Sequence, residues 1–176
     1  MKKRFIALSI IITVIGLASC STTKSPMEIK IDKALHKQAA QAIRNGNFVL
    51  EANQLLFRRG NMVNVMDNTN FIAMHNNRVT VQTAFDNGLQ GANNLGGITL
   101  EGNPGNIKFS TNNKDDFTCQ WSVSGAVISA RIELILYADS NQAKATVYPT
   151  FSGNQLTFIG AVFPAEESKV FKGRAL

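Results

Sequence analysis

Residues 117–132 read Phe117-Thr118-Cys119-Gln120-Trp121-Ser122-Val123-Ser124-Gly125-Ala126-Val127-Ile128-Ser129-Ala130-Arg131-Ile132. The first seven alternate between apolar and polar, as a strand does when one face lies on a core. A two-residue turn at Ser124-Gly125 pairs Val123 with Ala126, Trp121 with Ile128, Cys119 with Ala130 and Phe117 with Ile132. All four pairs are apolar. The opposite face pairs Gln120 with Ser129 and Thr118 with Arg131. A slip of one residue destroys this match, so the segment is predicted to form an antiparallel hairpin with one core face. Cys119 then lies in the core beside Trp121 as inert packing.

The same pattern extends outward. A turn at Asn76-Asn77, residues that tolerate left-handed backbone, pairs Met74 with Val79 and Ile72 with Val81. On the other face it pairs Ala73 with Thr80 and puts His75 at an exposed tip beside Arg78. Period-two segments predict strands near 47–55, 62–66, 69–75, 78–85, 97–101, 106–111, 115–124, 127–138, 143–148 and 155–163. No helical crossover lies between them, so the pairing is expected to be antiparallel. The fold class is mainly β: an N-terminal helix, then one sandwich or barrel-like domain of about ten strands over 46–176.

The helix spans 25–45. Ser25-Pro26-Met27-Glu28 is a capping box with proline in the first turn, and Asn45-Gly46 suits a left-handed exit. Ile31, Leu35, Gln38/Ala39 and Ala42 share a narrow stripe, with His36 beside it. Two later segments are apolar on both faces: Leu134-Ile135-Leu136-Tyr137, and Phe158-Ile159 with Ala161-Val162-Phe163. Either the helix covers Ile135, Tyr137, Ile159 and Phe163, or these four form an exposed patch for a partner or membrane surface.

Met1-Lys2-Lys3-Arg4 is followed by an apolar run to Leu17. The run is too short for a bilayer, which needs about 20 residues. Residues 1–19 therefore read as a secretory signal. Its exit, Leu17-Ala18-Ser19-Cys20, resembles the bacterial lipobox, which implies cleavage before Cys20 and lipidation of its thiol. Residues 20–24 then form a tether. The uncleaved chain carries 18 bases, 12 acids and a net charge of +6. Removal of Lys2, Lys3 and Arg4 leaves 15 bases against the 12 acids and lowers the net charge to about +3, which takes away the main support for a nucleic-acid role. Ser-Thr-Thr-Lys after Cys20 lacks an acidic sorting cluster. By analogy with known lipoproteins, this places the protein on the outer membrane facing the periplasm.

The 176 residues are 44% hydrophobic and 17% charged, a composition that suits one folded domain. There is no nucleophile elbow, no His-Glu-x-x-His, no Walker loop and no Cys-x-x-Cys. Two histidines and one structural cysteine do not furnish a conventional zinc site. Asp115-Asp116 and Asp67-Asn68-Thr69-Asn70 read as turns. No catalytic residue, metal or cofactor is expected. The longest break between strands, residues 86–97, offers Asp86, Asn87, Gln90, Asn93 and Asn94 as a candidate binding loop.

Asn47-Phe48-Val49-Leu50-Glu51-Ala52 and Asn70-Phe71-Ile72-Ala73-Met74 add to the lipobox and short helix. So does the glycine loop leading into Ile98-Thr99-Leu100-Glu101-Gly102. Together they resemble a family of small Bacteroides-type lipoproteins that carry a domain of unknown function, over roughly residues 20–163. The chain departs from that pattern around Thr83-Ala84-Phe85-Asp86, which is poorer in aromatic residues. The resemblance implies an envelope lipoprotein with a β-rich body and supplies no activity. Two functions stay open. One is a non-catalytic module that contacts an envelope protein or glycan. The other is a carrier that holds a small apolar ligand inside the β domain.

Overall fold

The computed structural model describes residues 24–84, 97–126, 129–150 and 153–173. Helix α1, Pro26–Arg44, precedes nine strands. These are β1 Phe48–Phe57, β2 Met62–Asn64, β3 Phe71–His75, β4 Arg78–Thr83, β5 Ile98–Thr111, β6 Phe117–Gly125, β7 Ser129–Leu136, β8 Gln142–Pro149 and β9 Leu156–Pro164. All pairings are antiparallel. β1 joins β3 and β2 along one edge and β9 along the other, so eight strands close into a barrel and β2 extends it. The structure is thus the barrel of the two expected forms. The strands near 97–101 and 106–111 prove to be one. Gly102–Gly105 does not break β5, because the segment stays paired with β6, with a bulge between Gly105 and Lys108.

The Asn76-Asn77 hairpin has the predicted register, with both asparagines at positive φ (50° and 59°). The hairpin at 117–132 keeps its faces but not its partners. Val123 pairs with Ala130, Trp121 with Ile132, Cys119 with Leu134 and Phe117 with Leu136, four residues further than the two-residue turn requires. Apolar residues recur at every second position from Ala126 to Leu136, so any even offset satisfies the core face. The observed offset places Gln120 opposite Glu133, where Gln120 Nε2 donates to Glu133 Oε2 at 2.7 Å.

The inward residues of successive strands fill the barrel. Phe48, Leu50, Ile72, Trp121, Ile132, Leu134, Leu136 and Phe158 are all less than 2% exposed. Trp121 meets Phe48 edge-on, with ring centroids 5.9 Å apart. This describes a packed interior rather than a ligand chamber, so the inward Phe, Ile, Leu and Val positions are used up in core packing.

α1 begins as predicted. Ser25 Oγ accepts from the Glu28 amide, and Glu28 Oε2 accepts from the Ser25 amide. Only its C-terminal half docks. Ala39, Ala42 and Ile43 join the barrel core, Leu35 is half-buried, and Ile31 is 50% exposed. The docked stripe is therefore shifted towards Ile43 and ends before Ile31. His36 Nδ1 lies 3.0 Å from the carbonyls of both Tyr137 and Ser140, so it carries the proton and ties the helix to the β7–β8 turn. Arg44 lies 4.3 Å over the Phe117 ring, which stacks on Phe109.

A C-terminal strap, unforeseen in the sequence, follows β9. Ser168 Oγ donates to Glu51 Oε1, and the Phe171 amide donates to the Asn68 carbonyl. Beneath it Gln82 is fully buried. Its Nε2 donates to the carbonyls of Thr69 and Phe171, and its Oε1 accepts from the Thr99 hydroxyl and the Gly173 amide. Outward-facing Val49 and Phe71 are also buried.

The β1–β9 seam is tightest at Gly160, which pairs with Ala52 and Ala143. A Cβ there would stand 1.9 Å from the Glu51 carbonyl oxygen and 2.8 Å from Ala52 Cα. Both obstacles are backbone, so relief means opening the seam. Gly160→Ala is expected to destabilise the protein by about 1–3 kcal/mol, read as a lower midpoint in denaturant. An unchanged midpoint would show that the seam is not tightly closed.

Candidate functional site

Groups able to do chemistry are held in structural roles. Cys119 is buried in the core, and burial pushes its thiol up to about 12, far from a nucleophilic range. His75 bonds through Nδ1 to Asn47 Oδ1 and receives the Asn76 amide at Nε2, 2.7 Å away. Both ring nitrogens are engaged, so the exposed tip does not present a free imidazole. Asn47 in turn donates to Glu166 at 2.7 Å, which ties the helix exit to the strap. Asp116 accepts from the Ala138 amide and from Asn112. These bonds, the backbone one foremost, hold its carboxyl below the usual value. Asp115 has φ +63°, so the pair forms a turn as read from the sequence. Among the described residues no group of three His, Cys, Asp or Glu side chains is placed to hold a metal ion.

Asp86, Asn87, Gln90, Asn93 and Asn94, the candidate loop, lie outside the described residues, as does Cys20. Ile135, Tyr137, Ile159 and Phe163 face outward. Ala39, Ala42 and Ile43 of α1 enter the core cluster, on the other side of the barrel wall from these four. Ile135 and Ile159 flank Lys144 in the β7–β8–β9 ladder and are half-buried, as is Phe163. Tyr137 is 37% exposed. Ile135 and Ile159 are thus separated by Lys144 rather than joined into one apolar sheet face.

Two of the clefts formed among the described residues bear on a site. The larger, about 350 Å³, is lined by Arg78, Glu101, Gly102, Asn103, Ser124, Gly125 and Ala126, where β4 and β6 flank β5. Its lining is mainly polar, and the sequence reading did not single it out. The smaller, about 180 Å³, lies between α1 and the end of β9, with Gln38, Asn45, Asn47 and Glu166 in its wall. From Asn103 onward β5 pairs only with β6 among the described residues. That free edge is blunted by Pro104, the bulge, Asn106 at φ +53° and Lys108, which oppose pairing with another chain.

Glu101 joins the larger cleft to the strap. It lies 2.8 Å from Lys172 Nζ and 3.7 Å from Arg78, and accepts from the Thr80 hydroxyl at 3.2 Å. Burial by itself would raise its carboxyl, but Lys172, Thr80 and Arg78 outweigh burial and hold it below the usual 4.5. A carboxylate lowered on folding stabilises the folded state fully above its ordinary value. That contribution is lost as pH falls through the lower folded value. Protection of the Phe171 and Gly173 amides from hydrogen exchange is expected to fall over that acid range. Glu101→Gln should lower it two- to five-fold at neutral pH, as for the loss of about 0.5–1 kcal/mol from a partly exposed pair. Equal protection in both proteins at neutral pH would show that the strap is held without Glu101, by Gln82 and its other hydrogen bonds.

Residues 30–162 match the family model described as a domain of unknown function, DUF4251. No curated protein matches the chain. The crystal structure of a DUF4251 family protein from Bacteroides eggerthii is similar, with 38% sequence identity and a TM-score of 0.70. The match covers 84% of this chain and 99% of that one. Family model and solved structure agree over most of the helix and barrel, and the chain belongs to the DUF4251 family.

Proposed function

We propose that this protein is a lipid-anchored module of the bacterial cell envelope, on the outer membrane facing the periplasm, and that it works by contact rather than catalysis. Its partner is an envelope protein or glycan. One observation carries the contact reading: the barrel interior is filled with apolar side chains, so recognition falls to the surface. The polar cleft at Arg78, Glu101, Asn103 and Ser124 suits hydroxyl and amide groups, which hydrogen-bond to such a lining. The lipobox ending in Cys20 supports the anchor, and no described helix is long and apolar enough to cross a membrane. Acyl chains contribute about 0.8 kcal/mol per buried methylene, so several chains on one cysteine hold a protein of this size stably on a bilayer.

Cys20→Ser is the test. The native chain is expected to take up labelled fatty acid and to sediment with the outer membrane. The variant should keep its signal segment uncleaved or appear unacylated, without label in either case. Equal labelling of the variant, or an unacylated native chain in the soluble fraction, would refute the anchor.

A further inference from the structure

The first two turns of α1 project beyond the docked half of the helix. Three of the nine large apolar side chains that stand exposed among the described residues are here: Met27 at 67%, Ile31 at 50% and Ile29 at 43%. Helical spacing puts Met27, Ile31 and Ala34 on one stripe, at i, i+4 and i+7. This stripe is rotated from the docked one of Leu35, Ala39, Ala42 and Ile43, with Ile31 at their shared edge, and the barrel leaves it uncovered. Lys30 and Lys37 run along its flank, and neither forms an ion pair among the described residues. An apolar stripe bordered by lysines is the pattern of a helix that lies in the interface of an anionic bilayer.

We infer that Met27 and Ile31 sit in the lipid interface, so that α1 is a second membrane contact as well as a barrel cap. The inference rests on the lipid-anchored reading. Cys20 precedes Lys24 by four residues, a reach of about 14 Å at most. Met27 lies about 8 Å further along the chain, two extended steps and one helical one. An acylated Cys20 therefore keeps the stripe within about 22 Å of the bilayer surface, so that lipid is the surface in reach. Lys24 is turned back onto the helix by its 2.6 Å bond to Asp32, and Lys33 reaches Asp139 at 4.0 Å, so the flank left for headgroups is that of Lys30 and Lys37.

The experiment uses the full acylated chain in vesicles of phosphatidylethanolamine and phosphatidylglycerol. A polarity-sensitive fluorophore is placed at Met27→Cys and, in a second protein, at exposed Arg59→Cys in the β1–β2 turn. Cys119 is buried and does not compete for the label. The probe at 27 is expected to shift to the blue and to lose quenching by aqueous iodide, while the probe at 59 keeps both its colour and its quenching. Acylated protein whose position-27 probe is as wet as that at 59 would overturn this inference and leave the anchor standing. Protein recovered without acyl groups would overturn the anchor, and the inference with it.

Discussion

Strand β1 meets β9 from Phe48 opposite Pro164 to Phe57 opposite Leu156, and this seam makes the fold a barrel. An open sheet would leave two edges and one wet face. Closure removes the edges along most of the sheet and gives every strand an inside. The seam depends on a residue without a side chain, because at Gly160 the two backbones approach too closely for a Cβ. Strand β1 also bends there, with an irregularity between Ala52 and Gln54, which lets one strand turn the corner of a small barrel. With the wall closed, Trp121 and Phe48 meet across the interior and the helix can seal the core with small residues, Ala39 and Ala42.

Alternation was legible because it is a property of each strand alone. It placed Phe117, Cys119, Trp121 and Val123 on the core face correctly. Register is a property of two strands, and the apolar repeat from Ala126 to Leu136 leaves it degenerate at every even offset. Only the Gln120–Glu133 contact and the volumes around Trp121 distinguish one offset from the next. The Asn76-Asn77 hairpin escaped this degeneracy because its two turn residues both adopt positive φ and so specify the loop length. The capping box at Ser25 was equally local and equally readable. The extent of helix docking was not local, and the stripe read from Ile31 ends in the structure at Leu35.

The strap was illegible for a different reason. Gln82 sits at an outward position of β4, where a glutamine ordinarily faces water. Its burial follows from chain 90 residues away, where the Phe171 carbonyl and the Gly173 amide supply two of its four hydrogen bonds; the Thr69 carbonyl and the Thr99 hydroxyl supply the others. The larger surface cleft likewise depends on Arg78, Glu101 and Ser124 meeting from three strands, a coincidence that no single segment announces. Across the described residues, the histidines join elements and the buried thiol packs in the core.

The central claim is closure at the seam, and native-state hydrogen exchange tests it most directly. If β1 and β9 close the barrel, the seam-facing ladder amides of Val49, Glu51 and Ala161 should exchange only through global unfolding. Their opening free energies should equal those of Trp121 and Ile132, which lie opposite each other in β6 and β7. Exchange at the seam with a markedly smaller opening free energy than at Trp121 would contradict the account. It would describe an open sheet whose first and last strands touch without joining.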